Sequence, residues 1–149
     1  MIDGVIIRKL EKIPDERGTI MHGVKNTNLP NEFGEVYFKK LYFGVVNGWH
    51  IHETLNLNYI CVDGMIKLVL YDDRENSKTY KEIQEIFIGD DNYCMVHIPP
   101  GVANGSKGMS EPYSLLCNIA SESHDPDLEY TRIDPHKNTI PYSWGRIDR

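Results

Sequence analysis

No apolar stretch in the 149 residues approaches the roughly 20 needed to cross a bilayer as a helix. The first residues, Met1-Ile2-Asp3-Gly4, lack the charged-then-apolar pattern of a secretory leader. The expected compartment is therefore the cytoplasm, with no membrane partner. Basic residues are also scarce: 16 Lys and Arg stand against 22 Asp and Glu, a formal charge of −6. Such a chain repels a nucleic-acid backbone, so nucleic acid is not an expected partner, although a local basic site still suits a small anion. Cys61, Cys94 and Cys117 form an odd set without CxxC spacing, each inside an apolar run. That pattern argues against a disulfide framework or zinc finger and for buried thiols. Helical periodicity is nearly absent.

What the chain does have is enough apolar material, 40%, for one core, which predicts a single domain over residues 1–149. Short β-rich runs recur every eight to twelve residues: Val5–Leu10, Gly34–Phe43, Leu57–Val62, Met65–Tyr71, Lys81–Ile88, Tyr93–Ile98 and Tyr113–Ala120. Turn residues separate them, the pattern of a sandwich or small barrel. Asp63-Gly64 between two runs predicts a hairpin, because glycine tolerates the positive φ of a type I′ turn. From Ser121 onward Pro126, Pro135 and Pro141 interrupt the pattern, while Tyr130, Ile133, Ile140, Tyr142 and Trp144 supply apolar anchors. This predicts an ordered tail wrapping the sandwich rather than a solvated terminus.

The segment Gly44-Val-Val-Asn-Gly-Trp-His-Ile-His52 is the most informative. Residues two apart on a strand share a face, so His50 and His52 line one wall and Trp49 points away from it. Gly, five residues and then His-x-His resembles the first motif of the cupins, which implies an all-β jelly-roll barrel, the cupin double-stranded β-helix. Metal-binding cupins place a Glu where this chain has Leu57, and a His where Pro99-Pro100-Gly101-Val102-Ala103 is followed by Asn104. Two imidazoles fall short of a three-ligand zinc or two-His-one-carboxylate site. Glu53 faces the other way on a regular strand. No metal and no cofactor are therefore expected, against the alternative of a metal-dependent cupin with His97 or His124 as the third ligand.

Five segments in order extend the likeness: Asp15-Glu16-Arg17-Gly18, Gly48-x-His50, Asp72-x-Arg74-x-x-Ser77-x-Thr79, Ile98-Pro-Pro-Gly-Val-Ala-Asn-Gly105, and Ile133-Asp-Pro135 followed by Ile140 and Trp144. Together they resemble the dTDP-4-dehydrorhamnose 3,5-epimerases and their shorter relatives in surface-polysaccharide pathways. The resemblance implies proton abstraction beside the 4-keto group of a nucleotide-linked 6-deoxyhexose and reprotonation on the opposite face, with no need of a redox cofactor or metal. It implies a dTDP-linked sugar as substrate and a homodimer.

Carried over by position, His50 matches the family's base, whose near-neutral ordinary pKa suits the task. Its carboxylate partner matches Asp148, with Asp134 as the alternative, although Asp134 also suits a turn before Pro135. Arg17 matches an arginine that contacts the diphosphate, and the Asp72-x-Arg74 segment matches a charged turn that closes a hairpin. Four positions depart from the family. Its arginine before Gly-x-His is Asn47, a lysine for the enolate oxygen aligns with Leu57, the loop His is Asn104, and the tyrosine that delivers the second proton falls near Ser121 and Glu122. His52 or Asn104 must then donate to the enolate, and Glu122, Tyr113, Tyr59 or water must supply the second proton. Asn47 and Tyr59 join the expected substrate pocket. Epimerisation at one centre or at two remains open, as does a non-catalytic sugar-nucleotide binder.

Overall fold

Twelve strands and no helix occur among the described residues, 1–125, 127 and 130–148 of this computed structural model. The tail proline Pro126 lies outside them. The strands are β1 (Ile6–Lys9), β2 (Lys12–Asp15), β3 (Gly18–Met21), β4 (Glu35–Tyr42), β5 (Val46–His52), β6 (Leu57–Asp63), β7 (Met65–Asp72), β8 (Ile83–Gly89), β9 (Cys94–Ile98), β10 (Val102–Gly108), β11 (Tyr113–Ala120) and β12 (Tyr130–Arg132). One sheet has the order β1-β9-β6-β11-β4 and the other β12-β5-β10-β7-β8, while β2 and β3 form a separate hairpin. All named pairings are antiparallel. Between the sheets lies a core that includes Leu57, Tyr59, Leu68, Leu70, Val96 and Ile98. This is the expected jelly-roll barrel.

The chain passes between sheets at most connections, and this corrects the hairpin expected at Asp63-Gly64. Gly64 does take a positive φ of 72°, but β6 pairs with β9 and β11, whereas β7 pairs with β8 and β10. The turn is a corner between sheets. Side chains as well as backbone hold it: Met65 N donates to Ser110 Oγ, Ser114 Oγ donates to Met65 O, and the backbone N–H groups of Asp90 and Met109 donate to Gly64 O and Met65 O.

Within the barrel, a hairpin joins β7 to β8, and Asp72-x-Arg74 closes it. Asp72 is fully buried. Its carboxylate accepts from Arg74 Nε and Nη2 at 2.8 and 2.9 Å, from Ser77 Oγ at 2.5 Å and from Thr79 Oγ1 at 2.6 Å. Burial alone pushes its pKa up, but the bonds from Arg74, Ser77 and Thr79 outweigh that and hold it well below the ordinary range. Ser77→Ala is expected to cost about 1.5–3 kcal/mol, the worth of a hydrogen bond to a charged group. Chemical denaturation at neutral pH checks this, and an unchanged midpoint would refute the structural role of the turn.

The tail wraps the outer face of the second sheet, where Ile140 and Trp144 pack with Trp49, Val69 and Tyr71. Trp49 is completely buried, and its ring centroid lies 5.3 Å from that of Trp144 and 5.9 Å from that of Tyr142. Trp49 thus points away from the barrel interior, and Tyr142 and Trp144 anchor the tail on that far side. All three cysteines are buried and free.

Candidate active site

A cavity of about 200 Å³ opens at one end of the barrel, between the sheets. Strand alternation delivers Tyr37 and Lys39 from β4, His50 and His52 from β5, Tyr59 from β6 and Tyr130 from β12. Loop segments at 53–55 and 123–125 complete the wall. His50 and His52 share this wall, as their spacing of two requires. Glu53 lines it too, which corrects the expectation that it turns away: β5 ends at His52, so alternation does not extend to the next residue.

The charge around His50 is one-sided. Burial, with the charges of Lys39, His52 and Arg132, pulls its pKa down to about 4, so the ring is neutral at physiological pH. His52 moves down for the same reasons, burial first and Lys39 second. Lys39 is itself lowered by burial and by Arg132. His50 Nε2 lies 2.8 Å from Asn47 Oδ1, and Lys39 Nζ donates to that oxygen at 3.2 Å. Arg132 is the register partner of His50 across β12, and Tyr130 that of His52, with the Tyr130 ring stacked at 5.5 Å on His52.

The structure does not bring either expected carboxylate to His50. Asp148 forms an exposed ion pair with Arg146 at 2.6 Å, and its side chain is 77% exposed. Asp134 accepts from the backbone N–H groups of His136 and Lys137, which makes it the turn former that its place before Pro135 suggests. Arg17 also stands apart, at the tip of the β2–β3 hairpin, 85% exposed and bound to Asp15. Asn104 is buried beside the cavity. Its Nδ2 donates to His50 O at 3.0 Å, and its Oδ1 accepts from the Tyr59 hydroxyl at 3.3 Å, so it ties β10 to β5. Asn47 bonds the catalytic candidate instead of lining the cavity. Leu57 belongs to the core.

Of the groups considered for the second proton, Tyr59 lines the cavity, whereas Tyr113 carries Lys40 over its ring and lies outside it, as does Glu122. Tyr37, Lys39 and Arg132 went unseen in the sequence, and Tyr130, read there as an apolar anchor of the tail, lines the cavity. For a metal, His124 lines the cavity but His97 bonds Asn58 at 2.9 Å on β9. Among the described residues no three His, Cys, Asp or Glu side chains gather as a metal-binding group.

Comparison with known proteins gives a consistent answer. A family model described as dTDP-4-dehydrorhamnose 3,5-epimerase matches residues 1–148. The chain is 36% identical over 147 residues to the spore coat polysaccharide biosynthesis protein SpsL of Bacillus subtilis, covering 97% of both chains. It is 31% identical over 144 residues to the probable low-salt glycan biosynthesis epimerase Agl13 of Haloferax volcanii, covering 95% of this chain and 88% of that one. The crystal structure of a dTDP sugar isomerase from Desulfovibrio desulfuricans superposes with a TM-score of 0.92 at 29% identity, over 99% of this chain and 94% of that one.

Proposed function

The chain belongs to the dTDP-4-dehydrorhamnose 3,5-epimerase family, and from that premise we propose that it is an isomerase acting on a nucleotide-linked 4-keto-6-deoxysugar. The observation that carries this reading is a histidine kept neutral inside a barrel cavity, with a lysine beside it. His50 removes the proton from a carbon next to the ketone. The electron pair moves to the ketone oxygen, and Lys39 holds the resulting enolate, the task that Leu57 cannot perform. Tyr37, on the sheet opposite His50, returns a proton to the other face of the carbon. His50 then releases its proton to solvent, and the phenol is reprotonated. None of these steps consumes a redox equivalent.

The cavity is smaller than the roughly 300–1,000 Å³ usual for pockets that enclose a drug-sized ligand. It therefore takes the reacting ring, with the nucleotide outside, and Arg132 at the edge of β12 is placed for the diphosphate. A homodimer accounts for the outer face of the first sheet, where Phe38 is 61% and Phe33 63% exposed above Ile60 and Val62. Arg17, remote from its own cavity, serves the partner's in such a dimer. Three free thiols suit the cytoplasm, where nucleotide sugars are made.

Proton NMR of a 4-keto-6-deoxysugar nucleotide in deuterated water tests the reading. Enzyme-dependent loss of the signal at C3, at C5 or at both is expected, and the pattern identifies the centre inverted. Tight binding of the sugar nucleotide without any exchange would instead establish a non-catalytic binder.

A further inference from the structure

We propose that Asn47, its side-chain amide fixed by Lys39, is the positioning residue that sets the tautomer of His50 and thereby makes Nδ1 the proton-accepting atom. This rests on His50 being the base. Asn47 and His50 are three residues apart on β5, a spacing that regular alternation would place on opposite faces. The register with β10 slips between them: His50 pairs with Asn104 and Asn47 with Ser106, so three steps on β5 span two on β10. That extra residue is a β-bulge, and it returns Asn47 to the face of His50. Gly48 lies inside it, where a Cβ would come within 2.6 Å of Gly105 Cα.

The hydrogen-bond chemistry leaves one assignment. An ammonium has donors only, so the Asn47 atom that meets Lys39 Nζ at 3.2 Å is the amide oxygen, because the NH₂ group would set donor against donor. The same oxygen lies 2.8 Å from His50 Nε2. An acceptor there requires Nε2 to carry the proton. In the neutral ring Nδ1 is then the nitrogen with the lone pair, and it makes no hydrogen bond among the described residues. Asn47 thus does the orienting that the family resemblance gives to a carboxylate, while Asp134 accepts from the turn at His136 and Asp148 pairs with Arg146. A neutral acceptor orients the ring without the charge that would raise its basicity.

Nitrogen-15 NMR of the histidine-labelled protein, without substrate, reads the tautomer directly. Wild type is expected to show a pyrrole-type Nε2 with a slowly exchanging proton, and a pyridine-type Nδ1. Asn47→Leu should lose the slow exchange and lower kcat about tenfold or more while leaving KM within about threefold. Asn47→Asp retains an acceptor and should keep the Nε2 proton. Lys39→Met frees the amide to rotate and should mix the tautomers, which gives the NMR reading if Asn47→Leu does not fold. A pyridine-type Nε2 in wild type, or an unaltered Nε2 proton in both Asn47→Leu and Lys39→Met, overturns the proposal. Because these signals need no substrate, they stand apart from the deuterium experiment: a locked ring with no exchange into any sugar rejects the catalytic reading alone.

Discussion

Replacing His50 with alanine is expected to reduce deuterium entry into the sugar by about 10²–10⁴-fold, the range for a positioned general base. Fold stability should hardly change. The ring is half-buried, its only side-chain bond among the described residues is to Asn47, and it lies outside the hydrophobic clusters. Removing it leaves Lys39 and Arg132 in place, so the sugar nucleotide should still bind. The discriminating measurement is therefore the exchange rate at saturating ligand. Exchange at the wild-type rate would falsify the role of His50 and shift attention to His52 on the same wall.

The second large effect concerns stability. Trp144→Ala is expected to cost about 3–5 kcal/mol, as for other aromatic truncations in a core, and to lower Tm by roughly 6–20 °C in a chain of this size. Trp144 is only 4% exposed and touches Trp49 and Tyr142, so its loss opens the whole layer between the tail and the second sheet. Its indole Nε1 is a buried donor with no hydrogen-bond partner among the described residues. That unmet bond works against the packing, so Trp144→Phe, which removes the donor and keeps a ring, should lose much less. A calorimetric scan compares the three proteins, and a Trp144→Ala melting curve that overlays wild type would show that the tail is not part of the cooperative unit.

Much of the barrel was legible because apolar runs and turn residues mark strands by composition alone. The strands that escaped are those whose composition serves contact with a neighbour. β10 contains Asn, Gly, Ser and Gly because neighbours press on its glycines: a Cβ on Gly105 would lie 2.7 Å from the Trp144 ring atom Cζ2, and one on Gly108 2.5 Å from the backbone oxygen of Tyr42. In β4, Tyr37, Lys39 and Leu41 turn inward while Val36, Phe38, Lys40 and Tyr42 turn outward. Each set holds a lysine and at least one aromatic, so alternation gave no sign of which faced the cavity, and Lys39 was hidden by its neighbour Lys40. His50 and His52 were visible because a His-x-His pair has the same meaning on either face. The carboxylates misled for a different reason: their match depended on distance along a tail whose path is set by aromatic packing.

The bulge in β5 joins two sides of the molecule that would otherwise be independent. Within four consecutive positions, the peptide turns Asn47 and His50 to the interior and plants Trp49 among the exterior aromatics. Trp49 also exchanges both backbone hydrogen bonds with Ile133, at 2.7 and 2.9 Å. The aim of the imidazole is consequently anchored from behind, so substitutions that loosen the exterior layer should blur the position of the reacting nitrogen before they unfold the protein.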